Sequence, residues 1–253
     1  MSQPWEIYDA LLDGLPEDVV VRTAGQGPRW SRVLNSAGGV GTAWTMDVRS
    51  RPALSDDGPL DGRPLRDVGT LVKSWNLAEA SIGQAAINSW YSREQTAAAN
   101  GFEPTGEGLT WRQVFDPYRE MIVGKRVAVI GHFPFAEAAL AGAGEYICLE
   151  RNLQPGDWPD SACEYVLPEC DLVFISSSSF VNKTAPRLIE LSRQAHTVLV
   201  GPSTPLNPVL LDYGVDTITG FVAARSLSDP ASLVEMVPAG DIGPGFRVHR
   251  HRA

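Results

Sequence analysis

The sequence predicts an α/β protein whose C-terminal part is built on a parallel sheet, with a smaller α+β part before it. From Arg126 onward, short continuous apolar runs alternate with helical patterns. Each run ends in glycine, acid or hydroxyl residues of the kind that terminate strands at a ligand crevice. Strand and helix in this rhythm imply a parallel sheet covered on both faces, with right-handed crossovers. The pattern is that of a Rossmann-like domain over residues 111–253, preceded by an α+β domain over residues 1–110.

Pro4 to Leu15 carries Trp5, Ile7, Tyr8, Leu11 and Leu12 on one helical face, ended by Gly14 and Pro16. Asp18 to Thr23 is a predicted strand because Val19, Val20 and Val21 are β-branched. Arg32–Leu34 and Thr42–Val48 are further strand candidates, separated by Ser36-Ala37-Gly38-Gly39. Asp56–Arg63 is a loop by its Asp, Gly and Pro content. Asn76, with Glu79 three residues on, caps a helix rich in small residues, which permit close approach to a neighbour. Asn100–Gly108 is expected to be a linker.

In the second half, Arg126–Ile130, Tyr146–Leu149, Asp171–Ile175 and Thr197–Val200 are predicted strands, with a last one near Gly220. Helices are expected over Phe135–Ala143 and Asn182–Ala195. The tail, His249 to Arg252, is expected to fray.

Composition narrows the function classes. The chain has 253 residues, enough for one large domain or two small ones with a sizeable core. Its net charge of −9 argues against a nucleic-acid role and against a basic membrane-surface face. No apolar run is long enough to span a bilayer, and no leader pattern is visible. Cys148, Cys163 and Cys170 lack CxxC spacing and suit reduced thiols in a cytoplasmic protein, with Cys148 in an apolar run.

The strand ends carry the candidate chemistry. They are Gly131-His132-Phe133-Pro134, Glu150-Arg151, Ser176-Ser177-Ser178-Ser179 followed by Asn182-Lys183-Thr184, and Gly201-Pro202-Ser203. Glu150 lies close to the expected distance of about 20 residues beyond Gly131 for an acid that binds ribose hydroxyls. The full GxGxxG pattern is absent, and a tight turn at Gly131 with Glu150 paired to Arg151 or Lys183 explains the same residues. Lys183 and Thr184 open a helix, which suits a carboxylate or phosphate, or else Asn182 is simply its N-cap. His132 is a candidate base or metal ligand, against a structural hydrogen-bonded role. His196 is expected to be structural, and His249 and His251 adventitious metal binders at most. There is no HExxH, no P-loop and no trustworthy Ser-His-Asp order.

Taken together, Leu77–Asn88, Val129–Pro134, Leu149–Arg151, Phe180–Thr184 and Val200–Leu206 resemble the DUF364 family with its DUF4213 N-terminal partner. The resemblance implies an N-terminal domain like that of enolase, a Rossmann-like C-terminal domain, and a site in the cleft between them; the helix around Asn88 is expected to face that cleft as its N-terminal wall. It also implies a heavy-metal chelation role. The carboxylate and imidazole candidates near such a cleft are His132, Glu150, Asp157 and Glu79, with His132 and Glu150 favoured as metal ligands. This chain departs from the family in carrying Ser176–Ser179 where a Thr-Gly-Thr-like run is usual.

The leading expectation is therefore a small-ligand-binding protein related to a divalent metal or its chelator. The alternative is an enzyme using S-adenosylmethionine or a nucleotide for group transfer, or for an intramolecular displacement, on a small carboxylate. A non-catalytic module that inherited the fold is the third. The partner is expected to be a small molecule, with homo-oligomerisation left open.

Overall fold

A computed structural model of the chain describes residues 3–49, 58–105, 111–224, 229, 233 and 242–252. Parts of two expected segments, residues 56–57 of the Asp56–Arg63 loop and 106–108 of the linker, lie outside the described residues.

The chain opens with α1 (Glu6–Asp13). Its Ile7, Tyr8, Leu11 and Leu12 are buried, as the spacing predicts. A three-stranded antiparallel meander follows, β1 (Val21–Gln26), β2 (Trp30–Asn35) and β3 (Val40–Trp44). The β2–β3 turn is held by Asn35, whose Oδ1 accepts from Ala37 N and Gly39 N at 2.9 and 3.0 Å. Then come α2 (Leu65–Gly69), a 3-10 turn over Thr70–Lys73, α3 (Leu77–Tyr91) and α4 (Glu94–Ala99).

Asn76 caps α3 through Oδ1, which accepts from Glu79 N at 3.3 Å. Apart from Leu77 and Trp90, every residue of α3 is buried. Such a helix has partners all round, and its small residues set the distance to them. On one side it lies on β2 and β3, where a Cβ added at Gly41 would fall 1.9 Å from Ala85 O and 2.1 Å from Ser89 N. On another, a Cβ at Gly83 would fall 2.0 Å from Val72 N.

The second sheet has eight strands. They are β4 (Glu103–Pro104), β5 (Arg126–Ile130), β6 (Glu145–Glu150), β7 (Trp158–Pro159), β8 (Leu172–Ser176), β9 (His196–Val200), β10 (Thr217–Ala223) and β11 (Gly245–His251). Their spatial order is β4-β11-β10-β9-β8-β5-β6-β7. From β7 to β10 all pairings are parallel. Read from β7, the parallel strands follow the order of a doubly wound Rossmann sheet, with the reversal between β5 and β8. The helices between them are short: α5 (Ala136–Ala139), α6 (Cys163–Val166), α7 (Ala185–Leu191) and α8 (Val209–Asp212).

Alternate residues of the central strands enter two different cores. Ala128, Leu149, Val173, Ile175 and Leu199 join one that also contains Ile7, Tyr8 and Leu11 of α1. Val127, Val129, Phe174, Val198 and Val200 join the other, with Phe115 and Tyr118. Burial on both faces is why these strands read as unbroken apolar runs.

The tail does not fray as expected. It is β11, paired antiparallel to β10 over its whole length, from Ala223↔Gly245 to Thr217↔His251. Val248 points into the core, and His249 Nδ1 lies 2.9 Å from Thr105 Oγ1. The expected linker contributes β4, which pairs with β11 through Val248↔Pro104. Among the described residues no helix is long and apolar enough to cross a membrane.

Gly41→Ala is expected to destabilise the protein by about 3 kcal/mol, because the intruding methyl meets backbone atoms that cannot rotate away. A lowered urea midpoint at unchanged slope would show this, whereas an unchanged midpoint would mean that α3 and β3 separate freely.

Candidate metal centre

Where β5 and β6 end, three donors of different kinds converge. His132 follows Gly131, which turns the chain at φ 97°. Gly131 has little room for a side chain, since a Cβ there would lie 2.9 Å from Ser176 Cβ. Cys148 projects from β6 two residues before Glu150 and so shares its face. Asp157 comes from the turn before β7, after Gly156 at φ 98°.

His132 Nδ1 lies 3.3 Å from each Asp157 carboxylate oxygen and 3.9 Å from Cys148 Sγ. One donor atom from each residue falls within 4.8 Å of the others. Cys148 is buried, the Asp157 side chain is 5% exposed and the His132 side chain 30%. The cluster is thus reachable from one side, through the imidazole.

Electrostatics tie the three together. Burial pushes the Cys148 thiol up to about 12, and the hydrogen bond and negative charge of Asp157 push the same way. Burial alone would also raise Asp157. Hydrogen bonds from Gln154 N at 2.9 Å, from Cys148 and from His132 outweigh it and hold the carboxyl below its ordinary 3.8.

Glu150, favoured as a metal ligand by the sequence, is engaged otherwise. Its Oε2 accepts from His132 N at 2.8 Å, and its Oε1 from Arg151 N at 2.6 Å and Asn152 N at 3.0 Å. Three amides on one carboxylate make it the clamp that holds the His132 loop against the end of β6. Arg151 turns outward to Asp160, with Nε 2.9 Å from Oδ2. Phe133 packs edge-to-face on Phe115, in the core beneath the loop.

The remaining candidates lie elsewhere. Asn88 is fully buried and gives its Nδ2 to Thr42 O at 2.8 Å. Gln84 Nε2 donates to Asn88 Oδ1 and to Ser203 O, both at 3.1 Å. Ser203 Oγ accepts from Trp44 N at 2.8 Å, and Ser203 N donates to Ser177 Oγ at 3.1 Å. Gly201 lets this happen, since a Cβ there would meet Ser177 Oγ at 2.5 Å. Asn88, Ser177, Gly201 and Ser203 therefore belong to a buried polar seam between the two sheets. Ser176 Oγ lies 3.0 Å from Ser178 Oγ.

Asn182 is not the N-cap of α7: that position is Thr184, with no side-chain cap bond, and Asn182 Oδ1 instead accepts from Thr184 N at 3.1 Å and Thr184 Oγ1 at 2.6 Å in the turn before the helix. Lys183 Nζ donates to Val181 O at 2.9 Å. Cys148 is the donor that sequence reasoning placed in the core. The available signal was its i, i+2 relation to Glu150, which puts a thiol beside the strand-end acid.

Asp157 sets an acid dependence. A depressed carboxyl contributes stability above its unfolded value near 3.8, lost as pH falls through the lower folded value. Asp157→Asn is expected to flatten the fall in urea midpoint between about pH 5 and about pH 3. An equally steep fall in the variant would show that Asp157 is not held low.

The DUF364 family model, described as "Putative heavy-metal chelation", matches residues 113–247. The DUF4213 model, with the same description, matches residues 8–91. A DUF364-family protein of unknown function from Desulfitobacterium hafniense DCB-2 superimposes with TM-score 0.85 at 37% identity, covering 98% of both chains. A DUF364-family protein of unknown function from Pyrococcus horikoshii superimposes with TM-score 0.77 at 20% identity, covering 98% of this chain and 99% of that one. No curated protein matches the chain.

Proposed function

Since the chain belongs to the DUF364 family, we propose that it binds a borderline divalent metal ion through His132, Cys148 and Asp157. The observation that carries the proposal is the spacing of the three donor atoms, all within 4.8 Å of one another. Ligands of a tetrahedral zinc-type ion, bound at about 2.0–2.3 Å, sit roughly 3.3–3.7 Å apart. The His132–Asp157 and His132–Cys148 separations of 3.3 and 3.9 Å approach that range without any change of fold.

The donor set also speaks for the kind of ion. One nitrogen, one sulfur and one oxygen suit zinc, cobalt or nickel better than magnesium or calcium. With three protein ligands, a bound ion keeps a coordination position for a small-molecule partner, which is where a chelator or substrate would enter. The family description agrees in direction. Glu150 supports the site indirectly, by fixing the backbone from which His132 projects.

The proton on Cys148 gives the reading its signature. A thiol held near 12 must lose its proton to become a ligand, so binding releases a proton. Apparent affinity should rise by about tenfold per pH unit through the neutral range. Titration with Co²⁺, followed by absorption spectroscopy, tests this directly. A thiolate-to-cobalt charge-transfer band is expected, absent in Cys148→Ser, with affinity lowered at least ~100-fold in His132→Ala. Cobalt binding that is undetectable, or unaltered by Cys148→Ser, would remove the basis of the proposal.

A further inference from the structure

A second chemically unusual group lies on the next strand end. Lys183 is the only non-glycine residue with positive φ, 66°, among the described residues. A side-chain-bearing residue holds that conformation only where its surroundings over-determine it, and such positions cluster at functional sites. Here the surroundings come from both halves of the chain. Phe180 O accepts from Tyr8 Oη at 2.9 Å, and the two rings meet edge-to-face at 6.3 Å. Val181 is fully buried in the core of the small sheet, beside Ile82, Ala85 and Ala86. The loop after β8 is thus pinned on either side, and the backbone turns sharply at Lys183.

Its amine is aimed across the junction. Lys183 Nζ is hydrogen-bonded to Val181 O and sits 5.5 Å above the ring of Trp75. Glu79 of α3 is the charged group that acts on it from the N-terminal half. Trp75 is 55% exposed, so the ring leaves an approach from solvent. The other two lysines of the chain are tied up in ion pairs, Lys73 with Asp9 and Lys125 with Asp171.

We propose that Lys183 is a nucleophilic amine that captures a small aldehyde or ketone as an imine, with the Trp75 ring as the platform for the carbonyl compound. The chemistry is self-contained. The nitrogen lone pair adds to the carbonyl carbon, the carbonyl π pair moves to oxygen, and the nitrogen passes one of its protons to that oxygen through solvent. The carbinolamine hydroxyl then takes up one proton from solvent and leaves as water as the nitrogen lone pair forms the double bond to carbon, which gives the protonated imine. One water leaves, and no oxidant or reductant takes part. The protonated imine is a cation, so the Trp75 face and Glu79 stabilise it as they stabilise the ammonium.

Proton loss is the first requirement, and burial provides it. Burial lowers the amine from 10.5 to about 8, against the opposing pull of Glu79. At neutral pH this leaves on the order of a few hundred times more free amine than an ordinary lysine offers. Desolvation of a lysine in an apolar setting is one of the general ways of making it nucleophilic.

The test is reductive trapping of the full-length protein with benzaldehyde and sodium cyanoborohydride in EDTA at neutral pH, mapped by peptide mass spectrometry. EDTA separates the outcome from metal binding. Lys183 is expected to be benzylated at least ~tenfold faster than Lys73 or Lys125, with a rate that climbs through about pH 8. Trp75→Ala should cut the preference of Lys183 for benzaldehyde over propanal. Lys183→Arg should abolish the fast phase, and if that variant fails to fold, the site distribution in the unmodified chain still decides. Equal labelling of the three lysines, or slowest labelling at Lys183, overturns the proposal. A benzaldehyde preference unchanged by Trp75→Ala overturns the role of the ring.

Discussion

The insertion of the Phe180–Val181 turn into the N-terminal half is the contact on which the rest of the molecule depends. Phe180 lies in the same core as α1 and the central strands, while Val181 lies in the core of the small sheet. One dipeptide therefore belongs to both cores. Tyr8 adds a buried hydrogen bond to Phe180 O, a group that would otherwise lose its partner on leaving water. Burial also drives the Tyr8 hydroxyl well above the ordinary tyrosine range, so it remains a donor at any ordinary pH. With these groups in place, the small sheet has one position relative to the strand ends.

The polar seam through Thr42, Asn88, Gln84, Ser203 and Ser177 works alongside that insertion. Its members are buried, and each hydrogen bond replaces one that water would have made. Such a chain adds little net stability but penalises any slippage, because a displaced member strands a buried donor. Gln84 Oε1 is the one acceptor of the seam without a partner. Asn88 is engaged in this seam through both its amide oxygen and its amide nitrogen. The two groups of unusual chemistry lie outside the seam. One is the set His132, Cys148 and Asp157, at the ends of β5 and β6. The other is Lys183, beside Trp75 and Glu79.

Much of this was legible in the sequence, for definite physical reasons. The central strands are buried on both faces, so they had to be continuous apolar runs, and Arg126–Ile130 and Asp171–Ile175 stand out as such. The cap at Asn76 and the stripe of small residues in α3 announced a helix that approaches its neighbours closely, as Gly41 and Gly83 show. The two strands at the β4 end of the sheet were harder. β11 carries Arg247, His249, Arg250 and His251, and the edge strand β4 has only two residues, one of them proline. β11 has just that two-residue neighbour on its outer side and mixes polar with apolar residues, so local composition alone reads the pair as tail and linker.

Gly131, Glu150, Ser176 and Gly201 do lie at the ends of strands, yet what such residues do depends on distances that no one-dimensional pattern contains. Glu150 illustrates the point. An acid at the end of the second strand can face a ribose, a metal or its own loop, and only the three amides around its carboxylate distinguish these. Cys148 is the converse. In the sequence it is one more apolar residue of a core strand, but the alternation that buries Ile147 and Leu149 on one face turns Cys148 to the other, toward His132 and Asp157. A thiol in a dry, acid-flanked position keeps its proton until a metal or a stronger base removes it. The buried amine at Lys183 is the opposite case, since the same loss of water favours its neutral, reactive form. Desolvation thus acts on both groups, silencing the thiol and activating the amine.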